Sequence, residues 1–292
     1  MSLTLLQAWT GARDRLKAAR IDSPVIDSRL LVEAATGASR LEIATDPYRV
    51  VTGEQQAVLD GYVARRERRE PVARILGRKG FWKIMLNVSP AVLTPRPDTE
   101  TILDVVLPAF EEHRRFQLLD LGVGSGAILL AILAERPGAT GLGTDISEDA
   151  IAVARDNAAS LGLEGRAAFL HGDWTHGMAD DSFDLVVSNP PYIAQAVIET
   201  LDPEVRDHDP RLALDGGEDG LDHYRTLAPE ILRVLRPGGL FAVEIGYDQA
   251  EAVTALFEAA GADALRTVKD LSTRDRVIAG LKKPLGNPAP TR

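Results

Sequence analysis

"LLDLGVGSGAILLAIL", residues 118–133, decides the fold. A short apolar run carries Asp120, turns through Gly122, Gly124 and Gly126, and continues as a second apolar run that reads as a helix. Glycine tolerates the positive φ angles of a tight turn and lets a ligand approach the backbone without meeting a Cβ. Strand, glycine loop and helix in that order predict the start of a βαβ unit with a cofactor loop made by Gly122, Val123, Gly124, Ser125 and Gly126. Read strictly, Gly122, Gly124 and Ala127 also satisfy the dinucleotide fingerprint G-x-G-x-x-A, so an NAD-dependent oxidoreductase is one reading of the loop.

Outward from this stretch, strand-like runs alternate with helical ones. Strands are predicted at 116–119, 139–144, 167–170, 183–187 and 240–244, with a final pair near 265–269 and 276–281. Helices are predicted over Ala127–Glu135, stopped by Pro137 and Gly138, over 148–161 capped by Ser147, and over 221–235, stopped by Pro237 and Gly238. Such alternation implies a parallel sheet covered on both faces, and those sheets bind ligands at the carboxyl ends of their strands. The second strand ends in Asp145, 23 residues beyond Gly122, where a carboxylate can accept hydrogen bonds from both hydroxyls of a ribose. The alternative is an Asp that starts the next helix. After the third strand, "HGDW" offers Asp173 to an adenine amino group and Trp174 to the ring face, or as a lid on the core.

The fourth strand runs into "DLVVSNPPYIA", residues 184–194. Two prolines in succession end any strand ladder, because neither has a backbone N–H and each restricts the residue before it. In a doubly wound sheet this strand lies beside the first, so Asn189, Pro190, Pro191 and Tyr192 face the glycine loop. Hydride transfer has no evident use for such a tetrapeptide, whereas alkylation of a planar NH2 group has one. The lone pair of that nitrogen is delocalised, and losing amide conjugation costs on the order of 18 to 20 kcal/mol. Acceptors that hold its N–H atoms in a pyramidalising geometry favour the transition state. The Asn189 side-chain oxygen and the Pro190 carbonyl are the two acceptors, and Tyr192 stacks on the flat group.

The first 75 residues read as helices. "SPVIDSRLLVEAATG" has Ser23 as N-cap and Pro24 at the first helical position, and Thr52 with Gln55 forms a capping box. "RRERR", residues 65–69, reads as a solvated helix end. The formal charge of −10 divides unevenly, with net +2 up to Ile75 and −12 beyond it. An acidic catalytic part is a poor match for a phosphate backbone, so no direct nucleic-acid substrate is expected. Hydrophobic residues make up 45% and charged residues 26%, values of a globular protein without low complexity. No secretory signal and no apolar run near the roughly 18 residues of a membrane span are read, so no membrane association is expected. With no cysteine and five histidines, none in His-Glu-x-x-His spacing, a metal site is not expected and a cytoplasmic location is.

Asp120 to Gly126, Asp145 and Asn189 to Tyr192 together resemble class I S-adenosyl-L-methionine-dependent methyltransferases of amino nitrogens. "EPVARILGRKGFW", "VSPAVLTPRPDTE" and "DPRLALDGGEDGLDHYR" narrow the resemblance to the HemK/PrmC family, glutamine methyltransferases acting on the Gly-Gly-Gln motif of peptide chain release factors. The similarity extends over nearly the whole chain. It implies a Rossmann-like domain with a seven-stranded, mostly parallel sheet whose last strand is antiparallel, preceded by a small helical bundle for substrate recognition. The boundaries expected are 1–75 for the bundle, 76–100 for a hairpin linker and active-site loop, 101–284 for the catalytic domain and 285–292 for a disordered tail. The cofactor implied is S-adenosyl-L-methionine, held by Gly122, Val123, Gly124, Ser125, Gly126, Asp145, Asp173, Trp174 and Asn189, and the partner a release factor bound by a monomer. A ribosomal protein glutamine and an adenine N6 are the alternative targets, because Asn-Pro-Pro-Tyr also occurs in adenine methyltransferases. Lys79, Gly80, Lys83, His208 and Asp209 depart from the family pattern.

Overall fold

The computed structural model describes residues 3–284, and the tail assigned to 285–292 lies outside the described residues. The chain divides into two compact units, one running to Arg78 and including Asp202–His208, the other formed by Lys79–Leu201 and the chain from Asp209 onward.

The first unit packs five helices, Leu5–Ala18, Pro24–Thr36, Arg40–Thr45, Gly53–Glu67 and Val72–Leu76, around Leu5, Leu16, Leu31, Leu59, Val63 and Ile75. Thr52 and Gln55 close the expected capping box, and Gly37 ends the second helix in the left-handed region at φ 68°. Ser23 occupies the N-cap position but its side chain makes no cap bond, because ψ of 48° carries it away from the first-turn N–H groups. "RRERR" departs from its reading. Arg66 is 6% exposed, its Nε donating to Asp27 at 2.8 Å and its Nη1 to Glu204 at 3.0 Å. A cation so enclosed needs both carboxylates to offset its lost hydration.

The second unit begins within the first strand of the hairpin β1 (Arg78–Phe81) and β2 (Ile84–Asn87). Seven further strands follow: β3 (Gln117–Leu121), β4 (Thr140–Asp145), β5 (Ala167–His171), β6 (Phe183–Ser188), β7 (Leu235–Glu244), β8 (Ala262–Lys269) and β9 (Asp275–Lys282). They form one sheet in the order β5-β4-β3-β6-β7-β9-β8. Every pairing among the first five is parallel, and β9 runs antiparallel to both neighbours. The helix Ala127–Glu135 is apolar all round because it is sandwiched: every residue from Ala127 to Leu133 is buried. β7 begins five residues earlier than its apolar run. Leu235 pairs with Phe183, and an irregularity before Leu185 absorbs Pro237 and Gly238, the latter at φ 78°.

Strand order puts β3 and β6 side by side with β4 beyond β3, so the segments leaving these three strands meet at one edge.

Candidate active site

At that edge lies a cavity of about 350 Å³, a volume suited to a small-molecule ligand. Its walls are residues that leave four adjacent strands: Gly122, Val123, Gly124 and Ser125 after β3, Asp145 at the end of β4, Asp173 and Trp174 after β5, and Asn189 with Pro191 after β6. These predicted site residues are therefore brought together by the topology. Gly126, Pro190 and Tyr192 do not line it.

The glycine loop reverses direction through three positive φ angles, 72° at Gly122, 53° at Gly124 and 83° at Gly126. Two of the three serve different needs. A Cβ built on Gly124 meets nothing within 4 Å, so that glycine leaves open space above the backbone. A Cβ on Gly126 lies 2.8 Å from Leu130 Cδ1 and 3.6 Å from Ala154 Cβ, so that glycine serves helix packing.

Asp145 bonds to the backbone on both sides. Its Oδ2 accepts from the Gly124 N–H at 2.9 Å and its Oδ1 from the Ser147 N–H at 2.9 Å. The carboxylate ties the glycine loop to the next helix and still borders the cavity, with lone pairs left on each oxygen. Trp174, at φ 42°, covers Gly122 and meets His223 edge-on, ring centroids 5.4 Å apart. Asp120, 1% exposed, lies beneath the loop. Burial pushes its carboxyl up to about 8, against one hydrogen bond from the Leu129 N–H at 3.1 Å, and Asp145 adds to the push.

Asn189 Nδ2 donates to Thr99 Oγ1 at 3.2 Å. That bond occupies the NH2 end of the amide and leaves Oδ1 for whatever enters the cavity. Thr99 belongs to the "PRPDTE" stretch, whose Pro95 and Arg96 also line the cavity, opposite Pro210, Leu212 and Ala213. The buried Asp209 clips these two walls, accepting from Thr94 Oγ1 at 3.3 Å and from Arg96. Two of the residues that depart from the family pattern thus have partners, since Lys83 pairs with Glu135 at 2.7 Å. Tyr192 is turned toward the core, its hydroxyl donating to Glu244 Oε1 at 3.1 Å. Thr99, Arg96, Thr144 and His223 were not singled out in the sequence; only the strand-end rule would have pointed to Thr144 and Glu244.

Residues 7–77 match a family described as the PrmC N-terminal domain, and residues 112–276 match one described as a methyltransferase domain. A release factor glutamine methyltransferase of Caulobacter vibrioides is 68% identical, over 99% of this chain and 100% of its own. This chain belongs to the release factor glutamine methyltransferase family. Another member, from Rhodospirillum rubrum, is 48% identical over 93% of this chain and 83% of its own. A methyltransferase from Pyrococcus furiosus shares the fold, with TM-score 0.50 at 19% identity, covering 68% of this chain and 88% of its own. The chain is an S-adenosyl-L-methionine-dependent methyltransferase with a class I fold, and the oxidoreductase reading of the glycine loop falls away. The cavity fits that cofactor: open space over Gly124, a carboxylate at the end of β4 and an indole beside the loop are the features a nucleoside with a charged tail requires. Among the described residues no helix is long and apolar enough to cross a membrane.

Proposed function

We propose that this enzyme methylates the side-chain amide nitrogen, N5, of the glutamine in the Gly-Gly-Gln motif of peptide chain release factors, working as a monomer in the cytoplasm. The observation that carries the reading is the Asn189 amide, held by its NH2 end on Thr99 with its oxygen left toward the cavity. A full-length relative at 68% identity named for that activity supports the substrate.

Bound at the glycine loop, S-adenosyl-L-methionine supplies an electrophilic methyl group on a sulfonium. Gly122, Val123, Gly124 and Ser125 would hold it through their backbone, Asp145 would accept from its ribose, and Asp173 and Trp174 would flank its adenine. Asn189 Oδ1 and the Pro190 carbonyl accept the two N–H bonds of the substrate amide, so its lone pair is released from conjugation and turned to the methyl group. On transfer the bond from the methyl carbon to sulfur would break with its electron pair left on sulfur as a neutral thioether, and the alkylated nitrogen, now acidic, would shed one proton to water. Tyr192 orients the peptide less by stacking than by fixing, through its bond to Glu244, the backbone that carries Pro190 and Pro191.

Mass spectrometry of unmodified release factors, ribosomes and nucleic acid, each incubated with enzyme and labelled donor, tests the assignment. One methyl per Gly-Gly-Gln glutamine is expected, and label found only in a ribosomal protein or in adenine overturns it. Asn189→Ala is expected to keep cofactor affinity within a few-fold while lowering turnover by about 10²-fold or more, the range for losing one transition-state hydrogen-bond partner. Near-normal turnover in that variant removes Asn189 from the chemistry.

A further inference from the structure

Gln249 is the N-cap of the helix Ala250–Ala259, yet its side chain makes no cap bond. Ser, Thr, Asp and Asn are the side chains that serve an N-cap, and a glutamine there is free for other partners. Its amide is spent on three main-chain groups instead. Oε1 accepts from the Gly246 N–H at 2.9 Å, and Nε2 donates to the Tyr192 carbonyl at 3.0 Å and to the Gly220 carbonyl at 3.1 Å. A flipped amide would set its oxygen against two carbonyls and its NH2 against an N–H, so one orientation alone satisfies all three.

The bond to Tyr192 completes the enclosure of one peptide group. The Tyr192 carbonyl and the Ile193 N–H belong to the same plane, and that N–H donates to the Leu214 carbonyl at 3.0 Å. Two glycines permit so close an approach: a Cβ on Gly216 would lie 2.8 Å from Tyr192 Cα, and one on Gly220 would lie 2.5 Å from the Tyr192 carbonyl oxygen. The far end of Tyr192 is held as well, its hydroxyl donating to Oε1 of Glu244, the last residue of β7. Side chains from the β7 end and the turn after it thus pin Tyr192 at both its carbonyl and its hydroxyl. Between this residue and the Pro190 carbonyl, the Pro190–Pro191 amide is planar and the Pro191 ring fixes φ. The rotations left are ψ of Pro191 and the backbone angles of Tyr192, and Tyr192 is held from both ends. Gln249 itself does not line the cavity.

We propose that Gln249 is a positioning residue that sets the direction of the Pro190 carbonyl by holding the Tyr192 peptide group. The inference rests on Asn189 Oδ1 and the Pro190 carbonyl as the acceptors for the substrate amide.

Gln249→Met keeps the bulk and removes all three bonds. Its kcat on a release factor is expected to fall about 10- to 100-fold, the scale of an acceptor misplaced by about 1 Å. Cofactor Kd and release factor KM should stay within about threefold, since the interaction lost is one made in the transition state. Gln249→Glu adds a pH signature. Its carboxylate has no proton to give and faces two carbonyl oxygens, whereas its protonated form donates an O–H to one of them. Relative to the parent, kcat of Gln249→Glu should therefore recover severalfold as pH falls from about 9 to about 6, while Gln249→Met keeps a constant ratio to the parent.

Asn189→Ala is measured in parallel. If it is impaired while Gln249→Met turns over within about twofold of the parent, this inference fails alone; if Asn189→Ala is unimpaired, the underlying reading of the site fails and takes this inference with it. A kcat loss in Gln249→Met matched by an equal loss of cofactor affinity or an equal rise in KM assigns Gln249 a structural role and overturns the proposal, as does a pH profile of Gln249→Glu parallel to that of the parent. Should Gln249→Met not fold, Gln249→Asn, whose amide falls one methylene short, gives the same refutation by unimpaired turnover.

Discussion

Two neighbouring glycines separate backbone strain from steric exclusion. Gly124 at φ 53° and Gly126 at φ 83° are both left-handed, so alanine at either position costs about 1–2 kcal/mol in backbone energy. Gly124→Ala adds little more to that, because its Cβ enters open space. In Gly126→Ala the Cβ sits 2.8 Å from Leu130 Cδ1 and 3.2 Å from Leu130 Cγ. Leu130 is fully buried and has no room to retreat, so overpacking adds about 1–3 kcal/mol. At about 2–4 °C per kcal/mol for a unit of this size, Gly126→Ala should melt several degrees below Gly124→Ala. Cofactor affinity should order the other way, since the Gly124 methyl occupies the space that the ligand needs. Differential scanning fluorimetry and titration calorimetry on both variants decide it. Gly124→Ala as the less stable of the two, or with the tighter cofactor binding, refutes the division of labour.

Asp120 and Arg66 offer two stability tests. The Asp120 carboxyl, raised to about 8 by burial, keeps in the folded chain a proton that the unfolded chain releases near pH 4, so its contribution is full below pH 4 and lost as pH climbs toward 8. Asp120→Asn should flatten the stability profile between about pH 4 and 8 by up to about 1.4 kcal/mol per pH unit, and parallel profiles for parent and variant contradict the buried-acid account. Arg66→Met leaves Asp27 and Glu204 without their shared cation and should destabilise the helical unit by about 3–5 kcal/mol, measured by urea unfolding. A loss below about 1 kcal/mol, the worth of a surface pair, would return "RRERR" to the solvated helix end that its composition describes.

What the sequence disclosed follows the range of the interactions. Ala127–Glu135 was legible to the residue, because a glycine opens it and Pro137 follows it. Asn189 was legible because two prolines break the strand locally. Thr99 was legible only as part of the stretch given to an active-site loop; its bond to Asn189, 90 residues away, was not. Arg66 was misread for the same reason: four arginines in five residues look solvated until Asp27, 39 residues off, and Glu204, 138 residues off, are folded against one of them. Leu235 was given to a helix because its strand pairing with Phe183 comes from tertiary structure alone.

The antiparallel last strand has a consequence for the site. In a parallel sheet every strand brings its last residues to the ligand edge. β9 runs the other way, so its first residues arrive there, with Val277 opposite Glu244. The residue delivered is Arg276, held by Ile245 O at 3.2 Å and Asp270 Oδ2 at 3.2 Å and lying 3.5 Å from Asp98. Its charge opposes the burial that pushes the Glu244 carboxyl up to about 7. A parallel β9 would put Lys282 and its neighbours at this edge, on a flexible stem and without the fixed carbonyl and carboxylate partners that hold Arg276. The reversal thus brings a rigidly held cation to the strand end where the buried Glu244 accepts from the Tyr192 hydroxyl.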